Sequence, residues 1–484
     1  MATASTEPTV IHHTPLPEQP ADPRRWLALL VILTGTFVVV LDFFIVNVAI
    51  PSMGRSLQAG SGAIEWVVAA YGLAYAAGLI TAGRLGDLYG RRRMFGVGLA
   101  LFTLASMGCG AAPNSELLIV ARVIQGIAAA IISPQALSLL GIMYAGADRV
   151  RAFTAYGLTL GLASVCGQLI GGVLIRADIA GLDWRACFLI NVPIGIAALA
   201  VMSRLLPESR TGDGGTLDLR GAALLTLALT ALLVPLIDGR EQGWPVWSWL
   251  CLAGSLVLLL VFIWYERWAG MQSRGQLIDP ALFRERAFTV GLLTTLTHFA
   301  GQTAFFLILA LYLQEGRGLA PLTSGLIFTV VAAGFFVTSM CAPALTRRLD
   351  RQSLALGALG LACGQALLGV LVAHIGLSGN ILLLLPALVF DGAGIGLVIA
   401  PLTSTELAGI APGHAGAAAG ILTAMQQLGA AVGVAAIGII FYGDLGPSAA
   451  PAAYPHAFAA SLIYLAVLAL AAAMLIQLLP HARK

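Results

Sequence analysis

The sequence predicts an all-α membrane protein with fourteen transmembrane helices, and three observations predict it. The chain has 484 residues, of which 59% are hydrophobic and only 10% charged, with a mean hydropathy of +0.91. Soluble domains run near ~25% charged, so a water-soluble fold could not cover this much apolar surface, and lipid must be the solvent for most of it. Second, a helix needs about 20 apolar residues to cross a hydrocarbon core of about 30 Å, and fourteen stretches qualify. Third, the basic residues fall on alternate loops, as an inserted chain requires.

In order, the spans are expected at 26–50, 63–82, 94–113, 116–140, 152–175 and 185–206; then 220–238 and 247–266; then 287–312, 322–345, 353–375, 381–404, 416–440 and 457–479. Backbone groups in lipid must be satisfied internally, which leaves helices or closed barrels, and continuous apolar runs of this length exclude a barrel. The arrangement reads as six, two and six. It divides the chain into a tail (1–24), an N-terminal half (25–206), a linker carrying two extra spans (207–286) and a C-terminal half (287–484). The tail is polar and Pro-rich and lacks the basic-then-apolar pattern of a signal peptide, so it is expected to be a disordered cytoplasmic segment.

With both termini on the cytoplasmic side, twenty of the 26 basic residues fall inside and five outside (Arg55, Arg176, Arg185, Arg240 and Arg317), with Arg122 within the membrane. That is a strong positive-inside bias, and a miscounted span would scramble it. All eight tryptophans lie near span ends, as interfacial aromatics do. Six cysteines lie in apolar stretches with no CxxC pair; neither a disulfide framework nor a metal cluster is indicated. A net charge of +3 gives no reason to expect nucleic acid. The 56 glycines suit close helix packing in lipid.

Two halves that echo one another suggest an internal repeat. The loop after the second span reads GRLGDLYGRRR (Gly83 to Arg93) and its counterpart PALTRRLDRQS (Pro343 to Ser353), with Leu85 over Leu345 and Arg91 over Arg351. Glycines recur at Gly157/Gly161 and Gly167/Gly171 in the fifth span, and at Gly416/Gly420 and Gly429/Gly433 in the thirteenth.

Five segments, LDFFIVNVAIP (Leu41 to Pro51), GRLGDLYGRRR, RVIQG (Arg122 to Gly126), GQLIGG (Gly167 to Gly172) and WRACFLINVPIG (Trp184 to Gly195), occur in this order. Together they resemble the fourteen-helix drug:proton antiporters of the major facilitator superfamily, the EmrB/QacA-like group, from about Arg25 to the end of the chain. The resemblance implies the major facilitator fold and proton-coupled export of amphipathic compounds across the bacterial inner membrane. It also implies alternating access, with the proton gradient as driving force and no cofactor. Expected partners are small amphipathic substrates, cations among them, together with protons and lipid. A monomer is expected, GxxxG spacing serving internal packing as well as dimerisation.

An ionisable group inside a span is costly and is by default a functional candidate. Asp42 should lie about 12 Å below the outer end of the first span and Arg122 about 9 Å below that of the fourth, at 1.5 Å per residue. Similar depth and opposite charge allow a proton-coupling pair, since burial and a neighbouring guanidinium act on a carboxyl in opposite senses; they equally allow an ion pair that only holds helices together. In similar transporters these two spans line the central cavity, so Asp42 is also a candidate for substrate cations. Asp391, about 15 Å into the twelfth span, is a second candidate for proton and substrate, or a hydrogen-bonded packing aspartate. His298 and Gln302 share a face of the ninth span, and Gln426 and Gln427 sit in the thirteenth; each suits a ligand or an interhelical hydrogen bond.

Gating is expected from Gly83, Asp87, Gly90, Arg91 and Arg92 of the loop motif, and from Gly167, Gly171 and Gly172 of the fifth span. Gly83 and Gly90 suit tight turns, and the paired glycines suit close packing between halves. In similar proteins the loop aspartate meets the start of a helix in the other half, here near Gly416, while the arginines also serve topology. Gln168 stands where the family signature has proline, which leaves the direction of flux open between export and import. Pro207-Glu208-Ser209-Arg210 is similar to a sugar-transporter signature, but it is short and common at such helix ends. No GxSxG or HExxH motif and no His/Cys cluster points to an enzyme, and no ring of filter residues points to a channel.

Overall fold

A computed structural model describes residues 25–144, 146–209, 218–271, 283–407, 415–446 and 450–480. The tail, most of the linker stretch 210–217, the loop 272–282 and residues 408–414 ahead of the thirteenth span lie outside the described residues, as does the Asp87 side chain. Among the described residues, fourteen helical spans are long and apolar enough to cross a membrane. Their main helices are α1 (Arg25–Leu57), α2 (Ser61–Tyr89), α3 (Arg91–Ala111), α4 (Ser115–Met143), α5 (Gly146–Ala177), α6 (Asn191–Leu205, the longer part of a span that begins at Asp183), α7 (Leu219–Glu241), α8 (Val246–Met271), α9 (Arg286–Leu311), α10 (Pro321–Leu349), α11 (Arg351–Ile375), α12 (Leu385–Leu407), α13 (Ala415–Leu445) and α14 (Tyr454–Gln477). A short turn, Ala186–Leu189, leads into α6.

The helices run past several expected ends. Pro51 does not stop α1, which continues to Leu57; a proline is tolerated where neighbouring helices re-satisfy the freed backbone groups. α9 passes into a wider π-type turn at Tyr312–Gly316. Gly83 lies inside α2 and makes no turn, contrary to the sequence expectation, whereas Gly90 turns the chain into α3 with φ +100°. In that conformation an L side chain would be strained.

Each half packs by the same plan. α1 lies on α5, α2 on α4 and α3 on α4; in the C-terminal half α9 lies on α13, α10 on α12 and α11 on α12. The register repeats as well. A Cβ placed on Gly126 (α4) would run into the Tyr71 carbonyl of α2, and one on Gly392 (α12) into the Val331 carbonyl of α10. One on Gly98 (α3) would meet the Ala128 carbonyl at 3.2 Å, and one on Gly357 (α11) the Gly394 carbonyl at 3.0 Å. Glycine at these crossings lets backbones approach closely, where lipid offers no hydrophobic drive for association. The halves meet through α2 with α13, α5 with α10 and α1 with α9, three pairs that a two-fold axis between the halves exchanges or maps on themselves. α7 of the extra pair lies along this seam: Leu233 and Ile237 pack with Ala69 of α2 and with Ala431 and Ala435 of α13. The Trp66 indole donates to Asp238 at 2.8 Å.

Arg25 at the start of α1 and Leu479 just past α14 lie at one end of the bundle, as an even number of spans requires. Tyr144 at the end of α4 donates to the Arg25 carbonyl, and Arg351 at the start of α11 donates to the Leu479 carbonyl at 2.6 Å.

Candidate functional site: two buried polar clusters

Asp42 and Arg122, far apart in the chain, meet in the core of the N-terminal half. Both are fully buried, and the Arg122 Nη1 donates to Asp42 Oδ2. Asp42 Oδ1 accepts from Gln125 Nε2 at 2.8 Å and from Asn191 Nδ2 at 2.9 Å. Arg122 also donates through Nε to the Val67 carbonyl at 2.9 Å and through Nη1 to Gln125 Oε1 at 2.7 Å. Its guanidinium carbon lies 4.3 Å from the Tyr71 ring centroid, an attractive cation–π placement. Gln125 Nε2 reaches Ser106 Oγ at 2.9 Å. Residues from α1, α3, α4 and α6 thus close one network, with α2 supplying a carbonyl and a ring. A buried charge is tolerated when paired and hydrogen-bonded, and this one is both. In this conformation Asp42 offers no open face to a substrate.

Asp391 does not join that network. It lies in the C-terminal half, 1% exposed, with no cation beside it and no hydrogen bond of ordinary length to either carboxyl oxygen; the Gln365 side chain of α11 is close enough to interact with it. It lines a cavity with Thr297, His298 and Gln302 of α9, closed by Phe305, Ile395 and Leu465 among others. The cavity volume is ≈ 20 Å³, enough for about one water by the usual requirement of ~10–15 Å³. The sequence reading put His298 and Gln302 on one face of the ninth span and Asp391 in the twelfth, and the structure brings the three together. Gln426 stands apart from this lining, half-buried on α13, and the Gln427 carbonyl faces Gly72 across the seam.

The loop motif closes on its own half. Arg91 N–H donates to the Ser209 carbonyl at 3.1 Å. Arg92 N–H donates to Glu208 Oε1 at 3.2 Å, and its guanidinium reaches the Ser203 and Leu206 carbonyls. Pro207–Ser209 therefore has a local task, to hold the α2–α3 turn through Glu208. The expected meeting of Asp87 with the start of α13 lies outside the described residues.

The glycines of α5 divide their work, which corrects the expectation that all three pack between halves. A Cβ on Gly167 would meet Phe44, Ile45 and Leu41, and one on Gly171 would meet Ile45 and Val48, all on α1 of the same half. Only Gly172 of the three faces the other half, where a Cβ would lie 2.7 Å from the Pro321 carbonyl. Gln168 completes that contact: its carbonyl would lie 2.7 Å from a Cβ on Gly325 of α10, and its buried side-chain amide has no hydrogen bond.

Further cross-half contacts gather at the end of the bundle remote from the termini. Arg55 of α1 pairs with Glu315 at the end of α9, Gln314 Nε2 donates to the Val48 carbonyl at 3.0 Å, and the Phe44 and Phe306 rings meet edge to face at 5.8 Å. The sequence reading missed Gln314 and Glu315, which look like ordinary residues of a span end. It also missed Gln125 and Asn191, although both lie inside quoted motifs. Glu406 escaped as well, by falling just past the expected end of the twelfth span.

Two pseudo-symmetric six-helix halves around a seam, with charge buried in each, define a polytopic secondary carrier. The sequence profile of the Major Facilitator Superfamily matches residues 32–434 and 290–484, and the chain belongs to that family. It is 37% identical to the "Probable actinorhodin transporter" of Streptomyces coelicolor over 88% of this chain and 74% of the relative. It is 36% identical to the "Cephamycin export protein CmcT" of Amycolatopsis lactamdurans over 94% and 92%. To the "Multidrug resistance protein Stp" of Mycobacterium tuberculosis it is 31% identical over 86% and 76%. Among solved structures, a POT family transporter in complex with a thioalcohol-conjugated peptide superposes with a TM-score of 0.68 at 14% identity, covering 93% of this chain and 95% of that one. That likeness speaks for the fold alone.

Proposed function

We propose that this chain exports small amphipathic compounds, drugs or toxic metabolites, across the bacterial inner membrane in exchange for protons. The names of three relatives, a transporter, an export protein and a resistance protein, support export. The observation that carries proton coupling is the sealed Asp42–Arg122 network. A carboxyl held by one guanidinium and two amides, on a helix that also packs across the seam, exchanges a proton only when the halves move and admit water. The bias of the basic residues supports both termini in the cytoplasm, and on that reading the contacts at Arg55–Glu315 and Gln314–Val48 close the outer side. The conformation then faces inward, ready to take substrate from the cytoplasm. The chain acts as a monomer, with no cofactor beyond the proton gradient.

A second reading has one specific observation in its favour. Two of the relatives are named for a single compound each, which favours a narrow antibiotic-like substrate over a broad drug range.

The test is a reconstitution of purified protein with a pH-sensitive dye inside the vesicles, comparing the wild type with Asp42→Asn. Amphipathic cations and aromatic or β-lactam antibiotics are added in turn. Proton movement elicited in the wild type and lost in the variant is expected. Equal responses from both proteins would move the coupling site away from Asp42, and silence of the wild type towards every compound would sink the exporter reading.

A further inference from the structure

The C-terminal half holds acid that the Asp42–Arg122 network does not use. Asp391 is buried without a cation; the register of α12 against α4 puts Leu388 where α4 has Arg122. An isolated buried carboxylate is far too costly to keep, and the group neutralises instead. Around its cavity, His298 of α9 is the titratable side chain; α11 contributes Gln365, and α14 contributes Leu465, Leu468, Ala469 and Ala472. From α10 the nearest approach is the backbone, at the Val331 carbonyl beside Gly392. The His298 Nε2 is buried and has no hydrogen bond. Two polar groups, each more than nine-tenths buried, thus face one water-sized space: His298 with its Nε2 unbonded, and Asp391 with the Gln365 amide as its polar neighbour.

A third group extends the line towards the end of the bundle that carries the termini. Glu406, in the last turn of α12, is fully buried and accepts from the Thr295 hydroxyl of α9 at 2.8 Å, with its other oxygen unbonded. It packs on Gly291, where any Cβ would strike its side chain. Asp391 and Glu406 are fifteen residues apart on α12, about 22 Å at 1.5 Å per residue, too far for direct transfer. His298 stands between their levels on α9, one turn beyond Thr295 on the same face.

We propose that Asp391, His298 and Glu406 form a second protonatable site in the C-terminal half. A water in the cavity carries a proton between His298 and Asp391, and Glu406, nearer the end of the bundle that carries the termini, takes up a proton of its own. The site rests on the proton-coupled reading above, and it makes the C-terminal half a store for a proton that the N-terminal network does not hold. The balance is simple. Each carboxyl gains or gives one proton, the imidazole accepts at the unbonded Nε2, and no bond between heavy atoms changes.

The experiment reads protons without substrate. Infrared difference spectra of the purified, lipid-reconstituted protein, taken between alkaline and acidic buffer, report the C=O stretch of protonated carboxyls. The wild type should show bands that Asp391→Asn and Glu406→Gln each remove in part, and Asp42→Asn should leave both in place. Thr295→Val keeps every carboxyl but removes a hydrogen bond, so it should shift the Glu406 band without deleting it. His298→Asn should shift the Asp391 band in the same way. These two variants keep the inference falsifiable if the carboxyl variants fail to fold. Spectra of Asp391→Asn and Glu406→Gln that match the wild type would overturn it, as would loss of both bands in Asp42→Asn. Because no substrate is present, failure of coupled transport in vesicles leaves this measurement standing, and the reverse also holds.

Discussion

Each half of the molecule buries a polar cluster at the same place, and the two clusters are built on opposite principles. The glycine crossings align Gln125 with Asp391, three residues before Ala128 and Gly394, and Ser106 with Gln365, eight residues after Gly98 and Gly357. On the first helix of each half, Gly167 abuts the Leu41 carbonyl and Gly429 the Leu296 carbonyl, which sets Asp42 opposite Thr297. The N-terminal half carries its acid on α1, fills the centre with Arg122 and uses every oxygen of Asp42. The C-terminal half carries its acid on α12, has Leu388 in place of the arginine, and leaves a cavity. One ancestral geometry can therefore hold a fixed charge pair or a lone acid, and the choice turns on whether the fourth helix of the half brings a guanidinium.

The contrast predicts unequal penalties, and the largest belongs to the N-terminal pair. Arg122→Leu strands Asp42 as an uncompensated buried charge and should destabilise the protein by about 3–5 kcal/mol, seen as a large drop in unfolding temperature in detergent. The double variant with Asp42→Asn should recover much of that loss, because nothing charged is left unpaired. Asp391→Asn strands no partner and should change stability by less than about 1 kcal/mol. Equal losses at Arg122 and Asp391 would break the comparison.

The symmetry itself can be tested at the helix crossings. Gly126→Ala and Gly392→Ala each push a methyl into a backbone carbonyl of the second helix of their half, so the two should cost similar amounts, about 1–3 kcal/mol each for overpacking. A loss at one and indifference at the other would show that the halves do not share this register.

Much of this was legible in the chain, for identifiable reasons. Fourteen spans and the sidedness of arginine follow from the cost of unsatisfied backbone and of charge in lipid, which leaves few alternatives. Asp42, Arg122 and Asp391 stood out because each is a charge where charge is expensive. The repeat showed in the loops, where Arg91 and Arg351 keep step, but its deepest evidence, IQG of α4 over FDG of α12, is three letters long and gains meaning only from the carbonyls those glycines face. Gln125 and Asn191 carry no charge, so nothing in hydropathy separates them from packing amides. Partition of the α5 glycines between α1 and α10 depends on helix rotation, which glycine spacing does not encode. Gly83 was misread for a related reason: glycine serves turns and close helix contacts alike, and only the backbone distinguishes them.

A smaller effect belongs to the turn between α2 and α3. Glu208→Ala removes acceptors from the Arg92 N–H and guanidinium, both partly exposed. A loss of about 1 kcal/mol is expected, together with faster amide hydrogen exchange confined to Gly90–Arg93. If exchange there is unchanged, Pro207–Ser209 does not hold the turn.

The smallest effect separates a gate from a glue. Arg55 is 60% exposed and Glu315 30%, so water screens the pair, and a salt bridge of this kind contributes about 0.2–1 kcal/mol. Glu315→Gln should therefore leave the unfolding temperature almost unmoved. The bridge nevertheless crosses the seam, and it exists only while that end of the bundle is closed. Adding about 0.2–1 kcal/mol to one of two nearly balanced states changes their ratio by about 1.4- to five-fold. Glu315→Gln should accordingly raise the labelling rate of a cysteine placed at Val48, beneath the bridge, by a factor of that order, and the gain should shrink as salt rises in the wild type. Gln314→Ala removes a buried hydrogen bond to the Val48 carbonyl and should act in the same direction regardless of salt. Matching salt dependence for the two variants would mean that the bridge does not set the closure, and that the apolar contact of Phe44 with Phe306 does.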